Sequence, residues 1–137
     1  MTERNYSEED IIKKYNNWCR ISCHKYLTED FIRKYQNLVY WREISEIQKL
    51  SENFIREFQD KVSWSFISYK QILSEDFIIE FQNKVYWITI SYNQNLSFKF
   101  IKDNIEKLDI DDLLYNKNIS EEIKQELKEL KMYCKIL

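Results

Sequence analysis

Three residue types are missing from this sequence of 137 residues, which contains no glycine, no proline and no alanine. Without glycine, the chain cannot form the Gly-rich loops that bind phosphate groups. Left-handed backbone positions, which glycine usually occupies, must then be taken by Asn or Asp. The missing types have GC-rich codons, whereas the abundant Ile, Lys, Asn and Tyr have AT-rich ones, and this bias indicates an AT-rich genome.

Residues that carry catalytic or metal chemistry are also scarce. The chain has one histidine, His24, and three cysteines, of which Cys19 and Cys23 lie one helical turn apart. A closed zinc site needs four ligands, and no second cluster could complete one. Neighbouring helical residues point about 100° apart, so Cys23 and His24 are poorly placed as a nucleophile and its base. Incidental placement is therefore favoured over a metal site, and we predict no enzyme activity, no catalytic residue and no cofactor.

Charge and hydropathy argue against two further classes of protein. Lys and Arg total 21 against 23 Asp and Glu, so the chain lacks the basic excess of a dedicated nucleic-acid binder. No apolar run approaches the ~18 residues of a membrane helix, and the polar start MTERNYSEED lacks a signal-peptide apolar region. Sparse cysteines without framework spacing favour a reducing, intracellular location. We therefore expect neither nucleic acid nor membrane as a partner.

A repeat of 23 residues organises the chain. It is marked by all the tryptophans, and by an isoleucine and a serine three and four residues later: Trp18, Trp41, Trp64, Trp87; Ile21, Ile44, Ile67, Ile90; Ser22, Ser45, Ser68, Ser91. The five copies span residues 6–26, 27–49, 50–72, 73–95 and 96–118. Copy one is shortened before its tryptophan, and copy five has Ile110 in place of one.

The first half of each copy is predicted to be a helix. The N-cap positions hold hydroxyl residues that can accept a bond from a free amide of the first turn: Thr28, Ser51, Ser74, Ser97 and Ser120. Leu27 and Ile32 have the spacing of a hydrophobic staple, and the same pair recurs in later copies. Asn37, Asp60 and Asn83 stand where the helices must stop, and we expect them to replace glycine in a left-handed turn.

The second half of each copy is predicted to be another short helix, spanning about residues 63–71 in copy three. Trp64 and Ile67 are three residues apart, which favours a helix over a strand. Neither helix is long enough to be stable alone, so the copies must bury one another's apolar side chains. The sequence therefore predicts an all-α fold, a short α-solenoid of helix–turn–helix repeats in a single domain, 1–137, with a capping helix over 119–137.

The final segment has an apolar stripe with alternating spacings of four and three residues, at Ile123, Leu127, Leu130, Cys134 and Leu137. A stripe of this kind covers the last repeat when it belongs to a capping helix, which is the favoured interpretation. The alternative is a pairing face. A homo-oligomer would then form through the 119–137 helix or through the ends of the repeat array.

The tryptophan series has two interpretations. It could form a platform on which a ligand stacks, but its strict recurrence beside Val and Ile favours packing between repeats. The predicted repeat core comprises Trp18, Trp41, Trp64, Trp87, Ile21, Ile44, Ile67, Ile90, Phe31, Phe54 and Phe77.

Positions whose residue differs between copies are those at which packing between the repeats does not determine the side chain. In the second helices these positions are rich in aromatic residues for a solvent-facing set, which is typical of a protein-binding surface. The partner-binding candidates are Tyr40, Arg42, Phe66, Tyr69, Tyr86, Ile88 and Tyr92. The alternative is that these helices are half-buried and the variable residues belong to the core.

The motif LSEDFIxxFxxKVxWxxISxxQ resembles tandem repeats in uncharacterised proteins of giant DNA viruses of the mimivirus type, of phages and of AT-rich bacteria. The resemblance implies an AT-rich, viral source and supplies no catalytic residues. Together with the variable aromatic positions, it leads us to expect a non-enzymatic protein-binding module. Such a virus- or phage-encoded factor would bind or inhibit a host protein in the host cytoplasm. The alternatives are a self-associating structural protein and a protein that sequesters a small molecule.

Overall fold

The computed structural model describes residues 6–136, with side chains as far as residue 134. Over these residues the fold is all-helical, with eleven helices and no strand, which confirms the predicted fold class at this level. The helices are α1 (Glu8–Tyr15), α2 (Trp18–Ser22), α3 (Glu29–Lys34), α4 (Trp41–Ile47), α5 (Glu52–Glu57), α6 (Trp64–Lys70), α7 (Glu75–Glu80), α8 (Trp87–Asn93), α9 (Phe98–Asp103), α10 (Ile110–Tyr115) and α11 (Glu121–Ile136).

The chain divides into two compact units, one ending at Lys70 and the other beginning at Gln71. In the first unit, α2 packs against α1 and α4, and α4 packs against α6. In the second unit, α10 packs against both α8 and α11. Second helices of successive copies are therefore neighbours within each unit.

Hydroxyl caps begin the first helix of each copy, as predicted. The side-chain oxygens of Thr28, Ser51, Ser74 and Ser97 each accept a hydrogen bond from the backbone N–H three residues later. Ser120 accepts one from the Ile123 N–H, at 3.3 Å, and so caps α11. These bonds satisfy amides that have no partner inside the helix.

The helix ends differ from the prediction. Among residues 6–136 the one residue with positive φ is Asn16, at 42°, so the left-handed conformation expected for Asn37, Asp60 and Asn83 is wrong. After α3, the N–H groups of Leu38 and Val39 both donate to the Tyr35 carbonyl. The chain thus leaves the helix through further right-handed turns, and this path needs neither glycine nor a substitute for it.

A buried serine joins consecutive copies. Ser22 Oγ donates to the Trp18 carbonyl at 2.7 Å within its own helix and accepts from the Tyr40 N–H at 2.9 Å. The same two bonds occur at Ser45 and, in the second unit, at Ser91. Each hydroxyl is fully buried, and its donor and acceptor roles are both used.

Glutamate side chains make a second bond between copies, on the exposed edge. Glu29 accepts from the Ser51 N–H at 2.6 Å, and Glu75 accepts from the Ser97 N–H at 2.6 Å. These residues begin their own helices, where a carboxylate also favours the positive end of the helix dipole. Each of these glutamates therefore stabilises two helix N-termini, that of its own helix and that of the first helix in the next copy.

The C-terminal helix α11 begins two residues later than the predicted start at 119 and packs against α10. Its predicted apolar stripe is graded in burial: Leu127 is fully buried, Ile123 is half-buried, and Leu130 and Cys134 are exposed. Leu137 lies outside the described residues. Lys131 forms an ion pair with Asp111 of α10, so α11 is held to copy five by apolar and ionic contacts.

Candidate protein-binding face

The predicted core residues occupy two kinds of position. The isoleucines and phenylalanines are buried, all at 2% exposure or less: Ile21, Ile44, Ile67, Ile90, Phe31, Phe54 and Phe77. The tryptophans Trp18, Trp41, Trp64 and Trp87 are half-buried.

Three of the tryptophan side chains bond to the turn of their own copy. The indole N–H of Trp41 donates to the Gln36 carbonyl at 3.0 Å, and its ring centroid lies 4.9 Å from that of Phe58. Trp64 and Trp87 donate to the equivalent carbonyls of Gln59 and Gln82. The Trp41 indole therefore joins the turn of copy two to Phe58 in copy three.

In the first unit, the candidate partner residues lie on, or directly before, the second helices of copies two and three. Tyr40 is 52% exposed and Tyr69 is 45% exposed, while Arg42 is exposed and Phe66 is half-buried. The Arg42 guanidinium lies 5.4 Å from the Phe66 ring centroid, and the Lys70 ammonium lies 4.9 Å from that of Tyr69. Two of the three aromatic rings here, those of Phe66 and Tyr69, therefore lie against the protein's own cations.

In the second unit, the candidates are more exposed and carry no charge. Tyr86 is 55% exposed, Ile88 is 72% exposed and Tyr92 is 49% exposed. Helix α8, with the sequence WITISYN, contains no acidic or basic residue. Ile88 therefore stands in solvent as a β-branched aliphatic side chain without a neighbouring charge on its own helix.

One exposed aromatic residue on the second helix of copy five was missed by the sequence analysis. Tyr115, on α10, is 77% exposed and lies 23 residues after Tyr92. The repeat spacing itself was the signal, because Tyr69, Tyr92 and Tyr115 share one register. It was overlooked because copy five lacks the tryptophan by which the copies were aligned.

The residues near the single histidine form no reactive group. Burial lowers the pKa of His24, with a further contribution from the charge of Lys14, and its ring lies 5.5 Å from that of Tyr15. Desolvation raises the pKa of the Cys23 thiol, and the nearby Cys19 and Glu43 raise it further. A raised pKa disfavours the thiolate, which is the nucleophilic form. Within the described part of the chain, no three His, Cys, Asp or Glu residues are grouped to hold a metal ion.

Compared with protein-family models, with curated proteins and with solved structures, the chain has no significant match in any of the three. None of the helices between residues 6 and 136 combines the length and the apolarity that a membrane crossing requires.

Proposed function

We propose that this chain is a non-enzymatic helical-repeat module that binds another protein through the second helices of its copies. The observation that carries the proposal is the exposure of Tyr40, Tyr86 and Ile88 at positions that vary between copies. In our proposal the protein is encoded by a virus or phage and binds or inhibits a host protein. The AT-rich residue usage and the repeat motif support that part.

The framework behind these residues is suited to hold a binding surface. Fully buried isoleucines and bonded serine hydroxyls lie on the same short helices as the exposed aromatic residues. Aromatic side chains dominate binding energy at interfaces because they bury a large area with few rotatable bonds. A rigid helix that presents them loses little further entropy on binding.

We also propose that the copies within each unit stack in the manner of an α-solenoid. The support is the recurrence of the same serine bond between copies one and two, two and three, and four and five. Amide hydrogen exchange tests this, because the N–H groups of Tyr40, Ser63 and Asp109 are protected from exchange if each donates to the serine of the preceding copy.

The binding proposal is tested by affinity capture from a lysate of the host cell of a virus with an AT-rich genome. The two baits are the wild type and a Tyr69→Ser/Tyr86→Ser/Tyr92→Ser variant. We expect a partner held by the wild type and released by the variant. The matched control is Tyr26→Ser/Ile72→Ser/Ile105→Ser, which removes as many exposed apolar side chains outside the candidate set. Circular dichroism verifies that both variants fold. Equal loss in both would contradict a specific face.

A second candidate function is self-association, and the exposed residues of α11 favour it. Leu130, Met132 and Tyr133 are 37%, 64% and 70% exposed, respectively. Sedimentation velocity over a concentration series tests this alternative. A mass that rises with concentration in the wild type, and stays monomeric in Met132→Ser/Tyr133→Ser, would support it over the capture of a different protein.

A further inference from the structure

We infer that the second unit contains a docking face for a basic segment of a partner protein, an inference that rests on the protein-binding function proposed above. The face is the α8–α10 ridge, which we define as Ile88, Tyr92, Asp109, Asp112 and Tyr115. Its occupant is a segment in which lysine or arginine residues stand among aliphatic ones.

The apolar part of the ridge comes from two neighbouring helices. Ile88 and Tyr92 lie on α8, Tyr115 lies on α10, and these helices pack against each other. Tyr92 and Tyr115 hold the same register in successive copies. Their exposures of 49% and 77%, with 72% for Ile88, leave apolar area in water that a partner's aliphatic side chains would cover.

The charged part of the ridge has a single sign. Residues 86–93 and 109–115 contain three aspartates and neither lysine nor arginine. The ion pair with Lys131 of α11 engages Asp111, whereas Asp109 and Asp112 have no ion-pair partner among the described side chains of residues 6–134. Asp109 Oδ1 accepts the Asp112 N–H at 2.9 Å and so caps α10, but no cation neutralises either carboxylate. The net negative charge of the two aspartates favours a cationic segment.

The tyrosine rings of the ridge add a second attraction for cations. No cation of the described residues lies over the rings of Tyr92 or Tyr115. The matching face of the first unit differs, because Lys70 and Arg42 lie over Tyr69 and Phe66. The ring faces of the ridge are thus open to a lysine or arginine from a partner, at about 0.5–1 kcal/mol for an exposed contact.

The same charges disfavour other occupants. An acidic segment or a nucleic-acid backbone would meet Asp109 and Asp112 with like charge, which costs binding energy at an interface. A purely apolar segment would leave both carboxylates partly desolvated without a partner. A second copy of the chain is distinguished by the experiment below.

The inference is tested with a fluorescein-labelled peptide of alternating lysine and leucine, measured by fluorescence anisotropy. We expect saturable binding with a micromolar dissociation constant that weakens as salt is added. The control peptides replace lysine by glutamate or leucine by serine. Neither is expected to bind measurably, because each lacks one of the two complementary features.

Two variants locate the binding. Asp109→Asn/Asp112→Asn removes both charges that lack an ion-pair partner, and asparagine keeps the capping capacity of Asp109. We expect it to bind the lysine–leucine peptide about fivefold more weakly. The control, Glu43→Gln/Glu46→Gln on α4, changes the net charge by the same amount and should stay within about twofold of the wild type. Tyr92→Ser/Tyr115→Ser should bind at least about tenfold more weakly.

The outcomes separate this inference from the proposed function. Equal weakening by both charge variants, or stronger binding of the glutamate–leucine peptide, would overturn a basic occupant. If the lysate partner is lost in Tyr92→Ser/Tyr115→Ser while the lysine–leucine peptide never binds, protein binding stands and the basic occupant is wrong. Concentration-dependent dimerisation that Asp109→Asn/Asp112→Asn abolishes would replace the peptide by a second copy.

Discussion

Copy two, which has a tryptophan, and copy five, which has none, pair carbonyls of the preceding copy with different side chains. Gln48 donates through Nε2 to the carbonyls of Ser22 and His24, at 3.2 and 2.6 Å, and accepts from the Leu27 N–H at 3.1 Å. In copy five the corresponding register holds Lys117, which is exposed. The residue before it, Asn116, donates through Nδ2 to the Ser91 and Gln94 carbonyls, both at 2.8 Å.

This difference shows that the junction requires a primary amide and not a particular register. The carbonyls that end each second helix are buried and must be paired. A glutamine such as Gln48 reaches them from one position and also accepts the N–H of Leu27, the first residue of its own copy. The shorter asparagine is one residue earlier, and its oxygen serves the nearby Asn118 N–H at 2.8 Å.

The strongest test of this comparison is the pair Asn116→Ala and Lys117→Ala. We expect Asn116→Ala to lower the free energy of unfolding by about 3 kcal/mol, because it leaves two carbonyls and one N–H without their bonds. Lys117→Ala should change it by less than about 0.5 kcal/mol. Urea unfolding followed by circular dichroism measures both. Similar losses would mean that the register, and not the amide, matters.

We expect a smaller effect from Gln48→Asn, which shortens the side chain but keeps its amide group. The shortened side chain keeps the amide but cannot span all its partners, so we expect a loss of about 2 kcal/mol in the same measurement. Gln36→Asn is the control, because Gln36 is half-buried and pairs with an exposed lysine, Lys61. A fully stable Gln48→Asn protein would show that the two solutions are interchangeable.

The serine bond should contribute less again. In Ser45→Ala the Ser63 N–H loses its acceptor, and we expect a loss of about 1–2 kcal/mol in the free energy of unfolding. Ser65→Ala removes an exposed hydroxyl from the next helix and should have almost no effect. Copy five has Leu114 at the serine position. If Ser45→Ala costs no more than Ser65→Ala, the bond does not hold the copies together.

The smallest effect concerns the cap of α1, which differs from the cap of α3 by a reciprocal bond. The Ser7 side chain and backbone N–H donate to Asp10, and these bonds lower the pKa of the Asp10 carboxyl below its usual 3.8. Because the folded pKa is the lower one, this contribution to stability is present above the unfolded pKa and is lost as the pH falls through the folded pKa.

An NMR titration of the Asp10 side chain measures that shift. In Ser7→Ala the side-chain donor is gone, so we expect the Asp10 pKa to rise toward its usual value. In Thr28→Ala the Asp10 pKa should not move, because Thr28 caps a different helix. An unchanged pKa in Ser7→Ala would show that Ser7 Oγ is not the cause.

The helix starts could be predicted from local sequence signals. The turn after α3 and the role of Asn116 could not, because they depend on packing between residues that are distant in the sequence. A cap such as Ser51 depends on an amide three residues away, so the sequence contains the whole interaction. The turn after α3 depends on where Val39 is buried, and burial replaced the expected left-handed Asn37 by further right-handed turns. The role of Asn116 follows from carbonyls of the preceding copy, which no local pattern reveals.

The candidate face was only partly predictable for the same reason. Variation between copies identified Tyr86 and Ile88, and both are exposed. Tyr115 could have been predicted only by extending the 23-residue register from Tyr92 into copy five, which lacks the tryptophan. Whether a ring face is covered, as for Phe66 beneath Arg42, depends on contacts between neighbouring helices, which spacing along the chain does not give.

The serine hydroxyl also gives the array a direction and a stopping point. Each of these serines accepts the N–H of the residue just before the second helix of the following copy. A duplicated block of 23 residues would therefore bring both the acceptor and the donor that its new neighbours need. Leu114 offers no such oxygen, and growth beyond copy five has no attachment point of this kind. Copy number is therefore a quantity that in-frame duplication and deletion in the interior of the gene can change without redesigning a junction.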